Sequence, residues 1–252
     1  MRILIANDDG VRAEGIRALA RELGRQDDME VIVAAPLTQQ SGMAHALTVG
    51  RPVDVIRCRE LDADYRAEVW GIGGTPTDCV KLYMEALNEQ PLTAVVSGIN
   101  HGANLATDVL YSGTVGAAME GFLHDTLSFA VSLDSRSTMP MAEVARIFRT
   151  FLRRQLEQAG EPRLWNVNFP RELADGEPRF VAGRLGRRDY INAFAMEQQD
   201  ADHMVCTMQG EIADSDDGEA TDLYAVAHGW ISITPLHTDM ADLAVLDELL
   251  QS

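Results

Sequence analysis

Apolar residues in this chain fall into short blocks with two periods. Ile3-Leu4-Ile5-Ala6, Val31-Ile32-Val33-Ala34-Ala35 and Ala94-Val95-Val96 are continuous apolar runs, the pattern of parallel strands covered on both faces. Between the first two, Ile16, Leu19, Ala20 and Leu23 recur at i, i+3, i+4 and i+7. That spacing predicts a helix over residues 14–23, capped by Gly24. Strand, helix and strand in the first 35 residues make a βαβ unit with a right-handed crossover, so the class is α/β.

The pattern continues along the chain. Residues 53–57 and 68–72 read as an antiparallel strand pair. Thr75-Pro76-Thr77-Asp78 opens a helix: Thr75 caps, Pro76 takes the first helical position and Asp78 closes a capping box. Val80, Tyr83, Met84 and Leu87 are its buried stripe. A strand over 93–97 gives way to a polar loop over 98–105, and a helix follows over 115–123. Residues 129–133 and 164–169 predict strands on either side of a helix over 141–158, whose apolar side is Val144, Ile147, Phe148, Phe151, Leu152 and Leu156. After Pro170 the character changes. A strand over 230–236 and a terminal helix over 240–250 stand out in a segment with hairpins and little core of its own, suited to packing on another subunit.

Composition narrows the class. With 252 residues and 46% hydrophobic content, the chain suits one large α/β unit with an appendage. No apolar run reaches the ~18 residues that a membrane span needs. The first residues lack a signal-peptide pattern, so a cytoplasmic location is expected. Cys58, Cys79 and Cys206 are far apart and read as reduced thiols. The net charge is −18, and Lys81 is the only lysine. Such a surface argues against a nucleic-acid duplex as partner and fits adaptation to high salt. The cluster Arg184, Arg187 and Arg188 is expected to be solvated or intersubunit. The acidic run Asp214-Ser215-Asp216-Asp217-Gly218-Glu219 lacks the spacing of a calcium loop and reads as a solvated loop.

The candidate chemistry lies where the first strand stops, at Asn7-Asp8-Asp9-Gly10. Open α/β sheets bind ligands beyond the carboxyl ends of their strands. Adjacent carboxylates there repel each other unless a cation or protons neutralise them. Hard oxygen donors suit magnesium or manganese. Three further stretches reach the same edge: the loop Gln39-Gln40-Ser41-Gly42, the segment Ser97-Gly98-Ile99-Asn100, and Ser112-Gly113-Thr114 at a helix start, where N–H groups and dipole favour an anion. Asp8 and Asp9 then offer charged oxygen, Ser41 and Asn100 neutral oxygen, and Asn7, Ser112, Gly113 and Thr114 a phosphate cradle. Gly42 and Asn104, in the adjoining loops, are further candidate substrate contacts. This assortment suits hydrolysis of a phosphate ester by metal-activated water. No Cys-x5-Arg loop and no Gly-x4-Gly-Lys-Ser/Thr loop is present, so phosphocysteine and nucleoside-triphosphate chemistry are unsupported.

The ordered blocks that carry these residues resemble the SurE family of stationary-phase survival proteins, metal-dependent 5′(3′)-nucleotidases. The matching blocks are residues 3–10, Ala35-Pro36 with Gln40-Ser41-Gly42, 74–80, 96–105, 108–118, Asn166-Val167-Asn168-Phe169-Pro170 and 232–236. The resemblance implies a Rossmann-like three-layer sandwich with a mainly parallel sheet. Residues 1–170 would form the catalytic core, and residues 171–252 a region returning to the core and mediating a homodimer or homotetramer. It implies nucleoside monophosphates as substrates and places the metal ligands on Asp8, Asp9, Ser41 and Asn100. The chain departs from the family at Leu37-Thr38, where Asp-Arg is common, and at residues 123–127, where a Gly-x-Pro turn is common. His45 and His101 are expected to support the site loops, and an ionised Asp9 to take the proton of the attacking water. The competing reading is a nucleotide-binding protein without turnover. A phospho-receiver domain is disfavoured because Lys81 falls inside a predicted helix, and a haloacid-dehalogenase phosphatase because its acids stand two apart.

Overall fold

The computed structural model describes residues 1–158, 160–192, 194–214 and 218–250. β1 (Arg2–Ala6) leads through α1 (Glu14–Leu23) to β2 (Glu30–Pro36), followed by β3 (Val55–Arg57), α2 (Arg59–Tyr65) and β4 (Glu68–Ile72). Next come α3 (Pro76–Leu82), β5 (Ala94–His101), α4 (Gly113–Leu123), β6 (Leu127–Leu133), α5 (Met141–Leu156) and β7 (Leu164–Phe169). The remaining elements are β8 (Phe180–Ala182), β9 (Arg188–Ile191), β10 (Phe194–Gln198), β11 (Met204–Met208), β12 (Glu211–Asp214), α6 (Asp222–Ala227), β13 (Ile231–Leu236) and α7 (Leu243–Leu250).

The main sheet runs in the order β3-β4-β2-β1-β5-β6-β7-β13-β8. Its strands are parallel from β4 to β7, with β3 antiparallel on β4 as the sequence predicts and β13 antiparallel on β7. Continuous apolar runs form the centre because both faces are covered. Ile3, Ile5, Val31, Val33 and Val96 pack with α1 and α5, while Leu4, Ala6, Ile32, Ala34 and Val95 pack with Cys79, Val80 and Tyr83. Each fully buried Ile or Leu contributes about 1.5–3 kcal/mol. The order also determines where ligands bind. The chain leaves β1 for β2 on one side and lays β5 on the other, so the carboxyl ends of β1 and β5 flank the switch-point crevice.

Helix starts follow the local chemistry. Thr75 and Asp78 form the complete capping box of α3 with Pro76 in its first turn, and Asp78 also takes bonds from Thr48. The helix then widens to π geometry over Tyr83–Leu87, leaving Met84 and Leu87 half-buried. Gly24 caps α1 in a right-handed conformation.

The polar loop expected over 98–105 is partly strand. β5 runs to His101, with a register shift between Ser97 and Asn100 against β6. Gly98 makes this possible: its φ is +138°, and a Cβ there would lie 2.3 Å from the Val131 carbonyl oxygen. The Gly98–Ile99 peptide is cis.

Beyond β8 the chain leaves the sheet as a ribbon. β9 pairs with β12, and β10 with β11, all antiparallel. Ile191, Phe194, Met196, Met204, Val205 and Ile212 on it are exposed. The chain then returns through α6 to β13, which separates β7 from β8. Of the acidic run, residues 215–217 lie outside the described residues. The three cysteines are free thiols, Cys58 and Cys79 buried and Cys206 exposed. Among the described residues no helix is long and apolar enough to cross a membrane.

Candidate active site

The crevice at the switch point brings together Asp8 and Asp9 after β1, Ser41 after β2 and Asn100 near the end of β5, with Gly42, Asn104 and Ser112 in its wall. Asp8 is nearly fully buried, and the Thr114 hydroxyl donates to its Oδ1 at 2.6 Å. The His101 backbone N–H donates to Asp9 Oδ2 at 3.3 Å. Gln39 links the second loop to the first, its Nε2 standing 3.4 Å from Asp9 Oδ1 and 3.0 Å from Ser41 Oγ. The Asn100 amide nitrogen donates to the Gly102 carbonyl at 2.7 Å, which leaves the lone pairs of its Oδ1 to face a cation.

Asn7, Gly113 and Thr114 are buried and lie outside the crevice wall. The Asn7 side chain exchanges two bonds with the Gly10 backbone, at 3.0 and 3.2 Å, and so closes the turn that carries the two acids. Ser112 is the N-cap of α4, accepting from Val115 N–H at 3.2 Å.

Two acids side by side in a buried turn are electrostatically costly. Burial and the neighbouring Asp9 charge raise the Asp8 carboxyl to about 6 despite the Thr114 bonds. Burial also raises Asp9, with the His101 N–H and charge pulling the other way. Carboxyls held above their usual range in an oxygen-lined crevice mark a place short of positive charge.

The model of the family described as survival protein SurE matches residues 3–192. The chain belongs to the SurE family. It is 41% identical over 254 residues to a protein of Syntrophomonas wolfei named 5′-nucleotidase SurE, covering all of this chain and 94% of that one. A protein of the same name from Synechococcus sp. is 39% identical over 251 residues, with 99% and 96% covered. The crystal structure of the SurE protein from Aquifex aeolicus matches over the full length of both chains, with a TM-score of 0.81 at 32% identity.

Other parts of this SurE-family fold hold the site in place. Asn166 and Asn168 of β7 donate to the Asn104 carbonyl at 2.8 and 3.0 Å, and the Asn104 N–H donates to Asn168 Oδ1 at 2.8 Å. The Asn-Val-Asn motif therefore anchors the loop after β5. His45, in the loop that follows Ser41, is tied to α4: its Nε2 lies 2.9 Å from Oε2 of Glu120, which is buried on that helix. Burial opposes the ionisation of Glu120, but bonds from His45 and Lys81 outweigh it and bring the carboxyl down to about 2. Glu85, Glu120 and His124 are, among the described residues, the one group of three with ligand atoms within 4.8 Å. Lys81 Nζ already bridges its carboxylates at 2.6 and 3.2 Å, so it is an ion-pair cluster.

Arg188 differs from expectation. It is neither solvated nor free for a partner, since it pairs with Asp108 at 2.9 Å and Asp214 at 2.6 Å in a mostly buried setting. Sequence reasoning placed the Gln39 loop at this edge but gave Gln39 no role, and it missed Asp108, Tyr190 and Met208 as parts of the crevice wall. Gln39 sits two residues from Ser41, a usable signal. Nothing in the order of residues links Tyr190 or Met208 to the first strand.

Proposed function

We propose that this chain is a divalent-metal-dependent phosphomonoesterase that hydrolyses nucleoside 5′- and 3′-monophosphates to nucleoside and phosphate. The observation that supports this best is the adjacent pair of buried Asp8 and half-buried Asp9, both carboxyls raised, at the switch point beside Ser41 and Asn100. Four oxygen donors, two of them carboxylates, suit a hard cation, and we assign magnesium or manganese to Asp8, Asp9, Ser41 and Asn100. When bound, the cation polarises the phosphoryl group and acidifies water.

The chain's own residues supply position and proton transfer. Thr114 orients Asp8 through its hydroxyl. Asp9 Oδ2 is held by the His101 N–H, whereas Oδ1 has the long contact from Gln39; Oδ1 is the atom we assign to take the proton of the attacking water. Ser112 and Gly113 open α4, whose first N–H groups and dipole favour a phosphate dianion. Gly42 and Asn104 complete the substrate contacts. Asn7 and Thr114 act by holding the acids.

Residues 1–170 serve as the catalytic core in this reading, and residues 171–252 return to it and join copies of the chain into a homodimer or homotetramer. The exposed apolar side chains of the ribbon support that assignment. The reduced thiols support a cytoplasmic location.

Metal-stripped protein should release no phosphate from AMP, GMP or 3′-AMP, and manganese or magnesium should restore release. A folded preparation that binds nucleotide yet releases no phosphate with either metal would leave a binding protein instead. Light scattering on the same preparation reads the oligomer, and a monomer would remove the role given to the ribbon.

A further inference from the structure

The crevice beside Asp8 and Asp9 has two chemically different ends. One is rich in oxygen donors. The other consists of Tyr111, from the turn before α4, together with Tyr190 of β9 and Met208 of β11. The whole encloses about 590 Å³, within the range of sites for small organic ligands. All three side chains are exposed, by 66%, 38% and 69% respectively, so among the described residues nothing covers the apolar surface that faces the crevice.

We propose that Tyr190 and Met208 of the ribbon, with Tyr111, form the wall on which the substrate's base stacks, so that the ribbon recognises the nucleoside while the strand ends hold the phosphate. This inference rests on the nucleotidase reading and names the specificity determinant of the same site.

Two further observations support it. Tyr190 is fixed in place: its hydroxyl donates to Asp108 Oδ1 at 2.8 Å, and Arg188 donates to Asp108 Oδ2 at 2.9 Å. Arg188 also holds Asp214, and the Thr107 hydroxyl donates to the Arg188 carbonyl at 2.6 Å. A ring already oriented loses little freedom when a ligand stacks on it.

Charge gives the second argument. No Lys or Arg is among the described residues lining the crevice, and the nearby Arg188 is shared between two carboxylates. A chain of further phosphates would meet no cation at this end. A neutral planar base meets aromatic faces and a polarisable thioether instead. The wall therefore selects nucleoside monophosphates over polyphosphate and over sugar phosphates that carry no base.

The test compares AMP with ribose 5-phosphate, which lacks only the base. In Tyr190→Ala and Met208→Ala, the ratio of kcat/KM for AMP to that for ribose 5-phosphate should fall about tenfold, mostly through KM for AMP. Tyr190→Phe keeps the ring and should retain most of the ratio. Calorimetric binding of adenosine, which needs no turnover, should weaken by a similar factor in the two alanine variants. An unchanged ratio, an equal loss for both substrates, or a Tyr190→Phe as impaired as Tyr190→Ala would overturn the wall. A wild-type protein that binds adenosine through Tyr190 but hydrolyses no phosphate ester would overturn the nucleotidase reading alone.

Discussion

At the scale of single residues, the site is built on a local conflict. Asp8 is buried beside another acid, and its carboxyl stands at about 6 rather than at 3.8. Between those values the folded protein binds more protons than the unfolded chain, so metal-free protein loses stability as pH rises from about 4 to about 6. The shift corresponds to about 3 kcal/mol at neutral pH. Asp8→Asn should therefore raise the melting temperature of metal-free protein at pH 7. The gain should shrink to nothing near pH 4, and turnover should be abolished. Equal melting temperatures across that range would mean that Asp8 carries no such cost. Thermal scans of the two proteins at four or five pH values decide this, and added manganese should narrow the gap by stabilising the wild type alone.

Among the elements, α4 does the most. Its N-terminus carries Ser112 and Thr114 into the site, and two turns on it presents Glu120 to the Ser41 loop. The folded value of the Glu120 carboxyl, about 2, lies below its ordinary 4.5. Its contribution is thus present above about 4.5 and lost as pH falls through about 2. Glu120→Gln should cost about 1–3 kcal/mol at pH 7, because a buried charge-assisted bond to His45 and the Lys81 pair are lost. It should also weaken metal binding, since the loop that presents Ser41 loses its tie to α4. Denaturant unfolding and a manganese titration measure the two effects. Unchanged stability with weakened metal binding would separate the loop from the helix.

Over the whole molecule, the dominant fact is a net charge of −18. Most arginines sit in local ion pairs with nearby acids, such as Arg57 with Asp62 and Arg153 with Asp28, so they leave the overall repulsion in place. Screening shortens the reach of that repulsion to about 8 Å at physiological salt and less above it. The melting temperature of metal-free protein should therefore rise by several degrees between about 0.02 and 1 M sodium chloride. A flat curve in calorimetry would show that long-range repulsion does not limit stability.

Much of this was legible in the order of residues, and the rest was not for definable reasons. Runs such as Ile3-Leu4-Ile5-Ala6 specify strands buried on both faces, because only a covered parallel sheet hides every successive side chain. The Thr75-Pro76-Thr77-Asp78 box specifies a helix start, because all its bonds are local. The acids after β1, with Ser41 after β2 and Asn100 at the end of β5, were placed at one edge by the rule for open sheets. What lies beyond local reach was decided by packing. β5 continues past Ser97 because Gly98 lets its backbone pass against Val131, a contact 33 positions away. Thr114, read from the sequence as part of a phosphate cradle, reaches Asp8 across 106 positions. Arg188, expected to be solvated or intersubunit, is mostly buried between Asp108 and Asp214, and in that pairing the base of the ribbon holds Tyr190 against the crevice. The sequence by itself determined the α/β class, the strand ends and the chemistry they carry, since periodicity and turns are short-range. Only the tertiary structure decided which polar atoms spend their bonds within the protein and which face the crevice, since hydrogen bonds between distant elements leave no period in the chain.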